Sequence, residues 1–206
     1  GLGKYKNRTT GTSSIAGKFS SAFSLGYQLF KDKDNTYANL LKSRASSAYA
    51  FGLKKPGNTQ TSCFVSPYFY EEDNWVDDME LAAAQLYNIT KDKNLLTVSF
   101  EYAKQEKQTP WLGTDTASHY QWYPFINVGH YELARSSKGE VREQTISFYK
   151  QGINLVWEKA RDNAFYRGVP FIWCSNNLQA AFAIQCYWYR QLTGDQTYAE
   201  LEQATF

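Results

Sequence analysis

Four short polar turns, each set between two stretches of helical spacing, constrain the fold of this chain more than any other feature. Three are close copies: Tyr27-Gln-Leu-Phe-Lys-Asp-Lys-Asp-Asn-Thr-Tyr37, Leu86-Tyr-Asn-Ile-Thr-Lys-Asp-Lys-Asn-Leu95 and Tyr189-Arg-Gln-Leu-Thr-Gly-Asp-Gln-Thr-Tyr198. In each, an apolar helix end meets a polar turn containing Asp, and an aromatic residue or Leu opens the next helix. Ala134-Arg-Ser-Ser-Lys-Gly139 is a weaker fourth copy. The anchors Asp34, Asp92, Lys138 and Asp195 lie 58, 46 and 57 residues apart. Two helices per period of about 50 residues describe an array of αα-hairpins.

The stretches between the turns read as helices. Apolar residues recur at 15, 19, 22/23, 29 and 30 in Ser13 to Phe30, with Gly at 26; this spacing predicts a first helix, whose many small residues allow close packing. Further helices are predicted over Thr36 to Leu53, Trp75 to Ile89, Asn94 to about Lys107, Val128 to Arg135 and Glu140 to about Asn163. The last pair runs from Asn176 or Asn177 to about Leu192, and from Gln196 onward. No stretch alternates with period two, so the fold class is all-α.

Connections within a pair take about five residues. Those between pairs are long: 54–74, 108–127 and 164–176. Long loops gathered at one end of a rigid hairpin array mark the functional face. They are rich in aromatics, in a chain that is 17% Phe, Trp and Tyr. Tyr68, Tyr70 and Trp75 come with the first loop, Trp122 and Tyr123 with the second, and Trp173 with the third. Their rings suit stacking against pyranose rings, with Asn, Asp and Arg gripping hydroxyls. Each ring alone serves a core equally well; their recurrence favours a groove.

Other chemistry is thinner. Glu71, Glu72, Asp73, Asp77, Asp78 and Glu80 could supply an acid–base pair, but a helix N-terminus collects acidic residues through its dipole, and that reading is preferred. His119 and His130 read as structural or loop residues. Arg167 either contacts ligand or holds its loop. Cys63, Cys174 and Cys186 match no zinc spacing and form no disulfide framework, so they read as buried or idle thiols. No metal site or cofactor is predicted, although a structural calcium stays open. A net charge of +2 implies no nucleic-acid or membrane partner, and no apolar run is long enough to span a bilayer. The first residues are no signal peptide. The abrupt ends suggest an excised piece of a longer protein.

Several segments together resemble family 9 glycoside hydrolases, the inverting cellulases. Tyr70-Glu-Glu-Asp-Asn-Trp-Val-Asp-Asp-Met-Glu-Leu-Ala-Ala-Ala-Gln-Leu-Tyr87 is similar to that family's acidic helix start ending in a Leu-Tyr pair. Tyr120-Gln-Trp-Tyr-Pro-Phe-Ile-Asn-Val-Gly129 resembles its Trp-containing loop. Phe171-Ile-Trp-Cys-Ser-Asn-Asn177 with Leu192-Thr-Gly-Asp-Gln-Thr-Tyr198 resembles its penultimate hairpin, and Gly3-Lys-Tyr-Lys-Asn-Arg8 to Ser13-Ser-Ile-Ala-Gly17 resembles the entry to a barrel helix.

The resemblance implies an (α/α)6 barrel, of which residues 1–206 are a single partial domain of about four hairpins out of six. It implies an endo-β-1,4-glucanase acting with inversion on a β-glucan polysaccharide or oligosaccharide, extracellular or periplasmic as a whole protein. No segment matches the family's catalytic motifs, so no catalytic residue is assigned. The piece alone is expected to be inactive and to need the remainder of the same domain as its partner. Tyr70, Trp122 and Trp173 match family aromatics that line sugar subsites, and Asn127 stands where many members have Asp. The rival readings are a glycan- or peptide-binding αα-solenoid without catalysis, and another (α/α)6 glycosidase or lyase.

Overall fold

The computed structural model describes residues 9–59, 74–106, 127–169 and 175–205. Those residues form eight helices and no strand: α1 Ser13–Phe30, α2 Asn35–Lys54, α3 Val76–Thr90, α4 Lys93–Glu106, α5 Val128–Ser136, α6 Gly139–Ala160, α7 Ser175–Thr193 and α8 Ala199–Thr205. They gather in two compact units, residues 1–102 and 103–206.

The repeated turns work as their sequence predicts. Asp34 caps α2, its carboxylate accepting the Tyr37 N–H at 2.9 Å. Asp92 accepts the Asn94 N–H at 3.0 Å, and Asp195 accepts the Thr197 N–H at 2.9 Å. In each case a side-chain oxygen replaces the partner that a helix start leaves missing. The weaker copy lacks this bond: Lys138 has no side-chain cap, and the turn relies on Gly139 at φ 60°. The Asp195 turn is the most elaborate. Its carboxylate also accepts the Thr197 hydroxyl at 2.5 Å and the Tyr189 hydroxyl at 2.7 Å. This turn consumes Gln196 to Tyr198, so α8 starts at Ala199 rather than at Gln196.

In the first unit, α1 packs against both α2 and α3, with an unexpected face. Its buried residues are Ser13, Ser14, Ala16, Gly17, Ser20, Ser21 and Ser24, while Ile15, Phe19, Leu25 and Leu29 point outward. Most of the large apolar residues of α1 therefore lie on its exposed side, although Phe23 and Tyr27 pack against the core. Small residues win the interface because the helices lie too close for large ones. A Cβ on Gly17 would stand 2.7 Å from the Asp78 carbonyl oxygen, and one on Gly52 3.1 Å from both Ala16 and Met79. Serine also brings a donor that the crowded seam can use. Ser13 Oγ bonds the Gly52 carbonyl at 2.8 Å and Ser20 Oγ the Ala45 carbonyl at 2.9 Å. Beyond this seam an apolar cluster of Tyr49, Met79, Ala83, Leu86 and Ile89 fills the unit.

At the loop end of this hairpin the backbone entering α1 is tied to the backbone leaving α2. Thr10 N–H bonds Asn58 O at 2.9 Å, Thr12 N–H bonds Lys55 O at 2.9 Å and Ser13 N–H bonds Gly57 O at 2.9 Å. Gly57 sits at φ 140°, and no Cβ fits beside it.

The second unit is built more conventionally. Tyr149, Ile153, Val156, Leu178, Phe182 and Tyr189 form the centre of a core between α6 and α7. Arg142 on α6 donates to the Ala134 carbonyl at the end of α5 and, at 2.8 Å, to the Leu192 carbonyl at the end of α7. One guanidinium thus satisfies orphan carbonyls on two helices. Arg190 and Glu202 join α7 to α8 through two hydrogen bonds of 3.0 and 2.8 Å. The α6 helix ends at Ala160, three residues earlier than predicted, because Asn163 starts a turn by accepting the Phe165 N–H at 3.0 Å.

Two outcomes test this packing. Gly17→Ala forces α1 away from the Asp78 backbone and should cost about 1–3 kcal/mol, read as a lower denaturation midpoint. A midpoint equal to wild type would mean that the seam is slack. The Asp195 carboxyl, held down to about pKa 2 chiefly by its hydrogen bonds from Thr197 and Tyr189, should stabilise the fold above its unfolded pKa of about 3.9. That contribution falls away as pH drops towards 2. Melts of wild type and Asp195→Asn should therefore differ at pH 7 and converge near pH 2; a constant difference would contradict the assignment.

Candidate functional site

Of the four residues predicted to bind substrate, Asn127 lies among the described residues; Tyr70, Trp122 and Trp173 lie outside them, as do Glu71, Glu72, Asp73 and His119. Asn127 begins α5 at φ 64°, ψ 11°, in the left-handed region, and is 2% exposed. Asn tolerates this conformation better than other L-residues. Its carbonyl accepts the Tyr149 hydroxyl from α6 and, at 3.3 Å, the Tyr131 N–H. One turn on, His130 is fully buried, 5.6 Å from the Phe148 ring and 5.8 Å from Tyr149. His130 is thus a packed core residue, as the sequence suggests.

The acidic stretch resolves into its described half. Asp77 and Asp78 lie in the first turn of α3, where the helix dipole favours them. They are more buried than that role needs: Asp77 is 9% exposed, Asp78 6% and Glu80 fully buried. Lys18 from α1 reaches Asp78 Oδ2 at 2.6 Å, and the Glu80 backbone carbonyl accepts Ser99 Oγ from α4 at 3.0 Å. The Asp78 carboxylate and the Glu80 backbone thus tie α3 to α1 and α4. Among the described residues no three His, Cys, Asp or Glu side chains gather as a metal would require. Cys186 is a buried free thiol whose pKa is pushed up by burial.

The third long loop is described up to Val169 and again from Ser175. A cavity of about 220 Å³ opens there, lined by Phe165, Tyr166, Arg167, Gln179 and Thr205 among others. Arg167, predicted either to meet ligand or to hold the loop, is on its wall. Neither Phe165 nor Tyr166 stands out in the periodic pattern, which runs α6 on to Asn163. Their signal is two adjacent aromatics inside an otherwise polar stretch, Arg161-Asp-Asn-Ala-Phe-Tyr-Arg167.

The family model for glycosyl hydrolase family 9 matches residues 3–206. The chain belongs to that family. Among curated proteins it is similar to Endoglucanase 18 of Arabidopsis thaliana, 33% identical over 84 residues, which is 41% of this chain and 17% of that protein. Endoglucanase 10 of the same plant is 29% identical over 97 residues, 47% of this chain and 18% of the relative. The fold matches solved family 9 enzymes. A thermostable endoglucanase from Alicyclobacillus acidocaldarius superposes with a TM-score of 0.71 at 16% identity, over 92% of this chain and 36% of that one. An endoglucanase from the termite Nasutitermes takasagoensis gives 0.68 at 18% identity, over 94% and 43%. The chain is therefore all-α with the helical-hairpin architecture of the family 9 (α/α)6 barrel, and it spans well under half of the relatives it matches.

Asn127 supplies the test of this site. Asn127→Ala should cost about 1–2 kcal/mol from the left-handed backbone alone, while Asn127→Gly should cost less than Asn127→Ala. Denaturation midpoints in the order wild type, Gly, Ala would place the effect in the backbone. Equal losses for Ala and Gly would place it in the side chain.

Proposed function

We propose that this chain is part of an endo-acting glycoside hydrolase that cleaves β-1,4-glucosidic bonds, with β-glucan as substrate. The observation that carries the reading is the family 9 match along residues 3–206, supported by curated relatives named endoglucanases. The chain's part is scaffold and grip. Its long loops carry Tyr70, Trp122 and Trp173, whose rings would stack on successive glucose units, and Asn127 begins α5.

Cleavage proceeds with inversion. One carboxylic acid protonates the leaving oxygen while a carboxylate activates water on the opposite face, the two roughly 6.5–9.5 Å apart. The acid and base are not assigned to residues 1–206. Asp77, Asp78 and Glu80 are buried at α3 and Asp78 is paired with Lys18, which suits fastening rather than proton transfer to a sugar.

The whole protein should release reducing sugar from soluble cellulose, and the first product seen by proton NMR should be the α-anomer. A β-anomer as first product would sink inversion. Residues 1–206 alone should release none; release abolished by replacing one local carboxylate would move the chemistry into this chain.

A further inference from the structure

Phe165 is 84% exposed, far more than any other large apolar side chain among the described residues. Its turn is nonetheless firmly built. Asn163 N–H bonds Ala160 O, Tyr166 N–H bonds Asn163 O, and Phe165 N–H bonds Asn163 Oδ1, at 2.9, 2.9 and 3.0 Å. Tyr166 is held at φ 49°, an uncommon conformation for a bulky residue. What holds it there is a parallel stack on Trp157, with centroids 5.8 Å apart and planes 11° apart. Beyond it, Gly168 presses on α6 so closely that a Cβ would stand 2.3 Å from the Val156 carbonyl, and Val169 enters the core. Backbone strain kept in place by this many contacts points to a role for what the turn displays.

The turn displays one flat ring beside the cavity of about 220 Å³, whose lining includes Gln179 and Arg167. Gln179 makes no hydrogen bond to a described residue. A protein-binding patch would present broad contiguous apolar surface; here the exposed Phe165 ring adjoins a small cavity whose described lining mixes Tyr166, Val169 and Ala204 with Arg167, Gln179 and Thr205. A β-linked glucose unit is complementary to that arrangement, with apolar faces formed by its ring C–H groups and hydroxyls around its edge. The cavity has room for about one such ring.

We propose that Phe165 and its adjoining cavity form a subsite for one glucose unit of a β-glucan, with the sugar stacked on the Phe165 ring and its hydroxyls met by Gln179 and Arg167. The subsite rests on the glucan reading above and adds to it a position that the resemblance to family 9 does not supply. Pre-organisation lowers the entropy lost on binding, because the ring's backbone is already fixed.

The test is titration calorimetry of the full-length protein with a thio-linked, non-hydrolysable cello-oligosaccharide. Phe165→Ala should weaken binding roughly three- to ten-fold, the worth of one aromatic stack, with an unchanged melting temperature, since the side chain is exposed. Phe165→Trp should restore affinity, and Gln179→Ala should weaken it to a smaller extent. Wild-type binding that Phe165→Ala leaves unaltered overturns the subsite and leaves the glucan reading standing. No detectable binding by wild type overturns both. Unchanged glucan affinity with altered self-association would reassign Phe165 to a protein contact and overturn the subsite.

Discussion

A carboxylate that accepts a backbone N–H two or three residues further along is the interaction on which this architecture depends. Most of a helix's stability in a protein comes from packing rather than from propensity, so each helix is returned against its neighbour by a turn that forms locally. Asp34, Asp92 and Asp195 do this with the same bond. The Lys138 turn shows the alternative, in which a glycine at positive φ replaces the side-chain acceptor. Because the device is local, it can be repeated along the chain while the helix faces change, and the two units do differ in what they bury.

That difference explains how much was legible beforehand. The turns were legible because capping chemistry is written in a few adjacent residues, and eight helices fell within a few residues of their predicted spans. Boundaries moved where a side chain intervened: Asn163 ended α6 early and Asp195 delayed α8. The small residues of α1 were legible as allowing close packing, but not the face they would form. Interhelical distance chose the serines and Gly17 and left Ile15, Phe19 and Leu29 outside. Distance belongs to pairs of helices, and periodicity describes one helix at a time.

For the candidate site, the family was legible. The resemblance that pointed to family 9 is matched by the family model along residues 3–206. Asn127 was named because it stands where many family members have Asp; it is buried and begins α5 with a left-handed backbone. Arg167 lines a cavity together with Gln179 from α7 and Thr205 from α8. No spacing rule could assemble residues so far apart in sequence, whereas Phe165 was visible only as an aromatic in a polar run.

The small-residue face of α1 also has a thermodynamic consequence. Heat-capacity change on unfolding comes from newly exposed apolar surface, and exposed polar surface subtracts from it. Parting α1 from α2 and α3 uncovers largely serine hydroxyls, peptide groups and glycine. The aromatic core between α6 and α7 uncovers hydrocarbon instead. The stability of the α1 seam should therefore vary with temperature along a flatter curve, and chilling, which weakens hydrophobic association, should loosen the second unit's core before it loosens this seam.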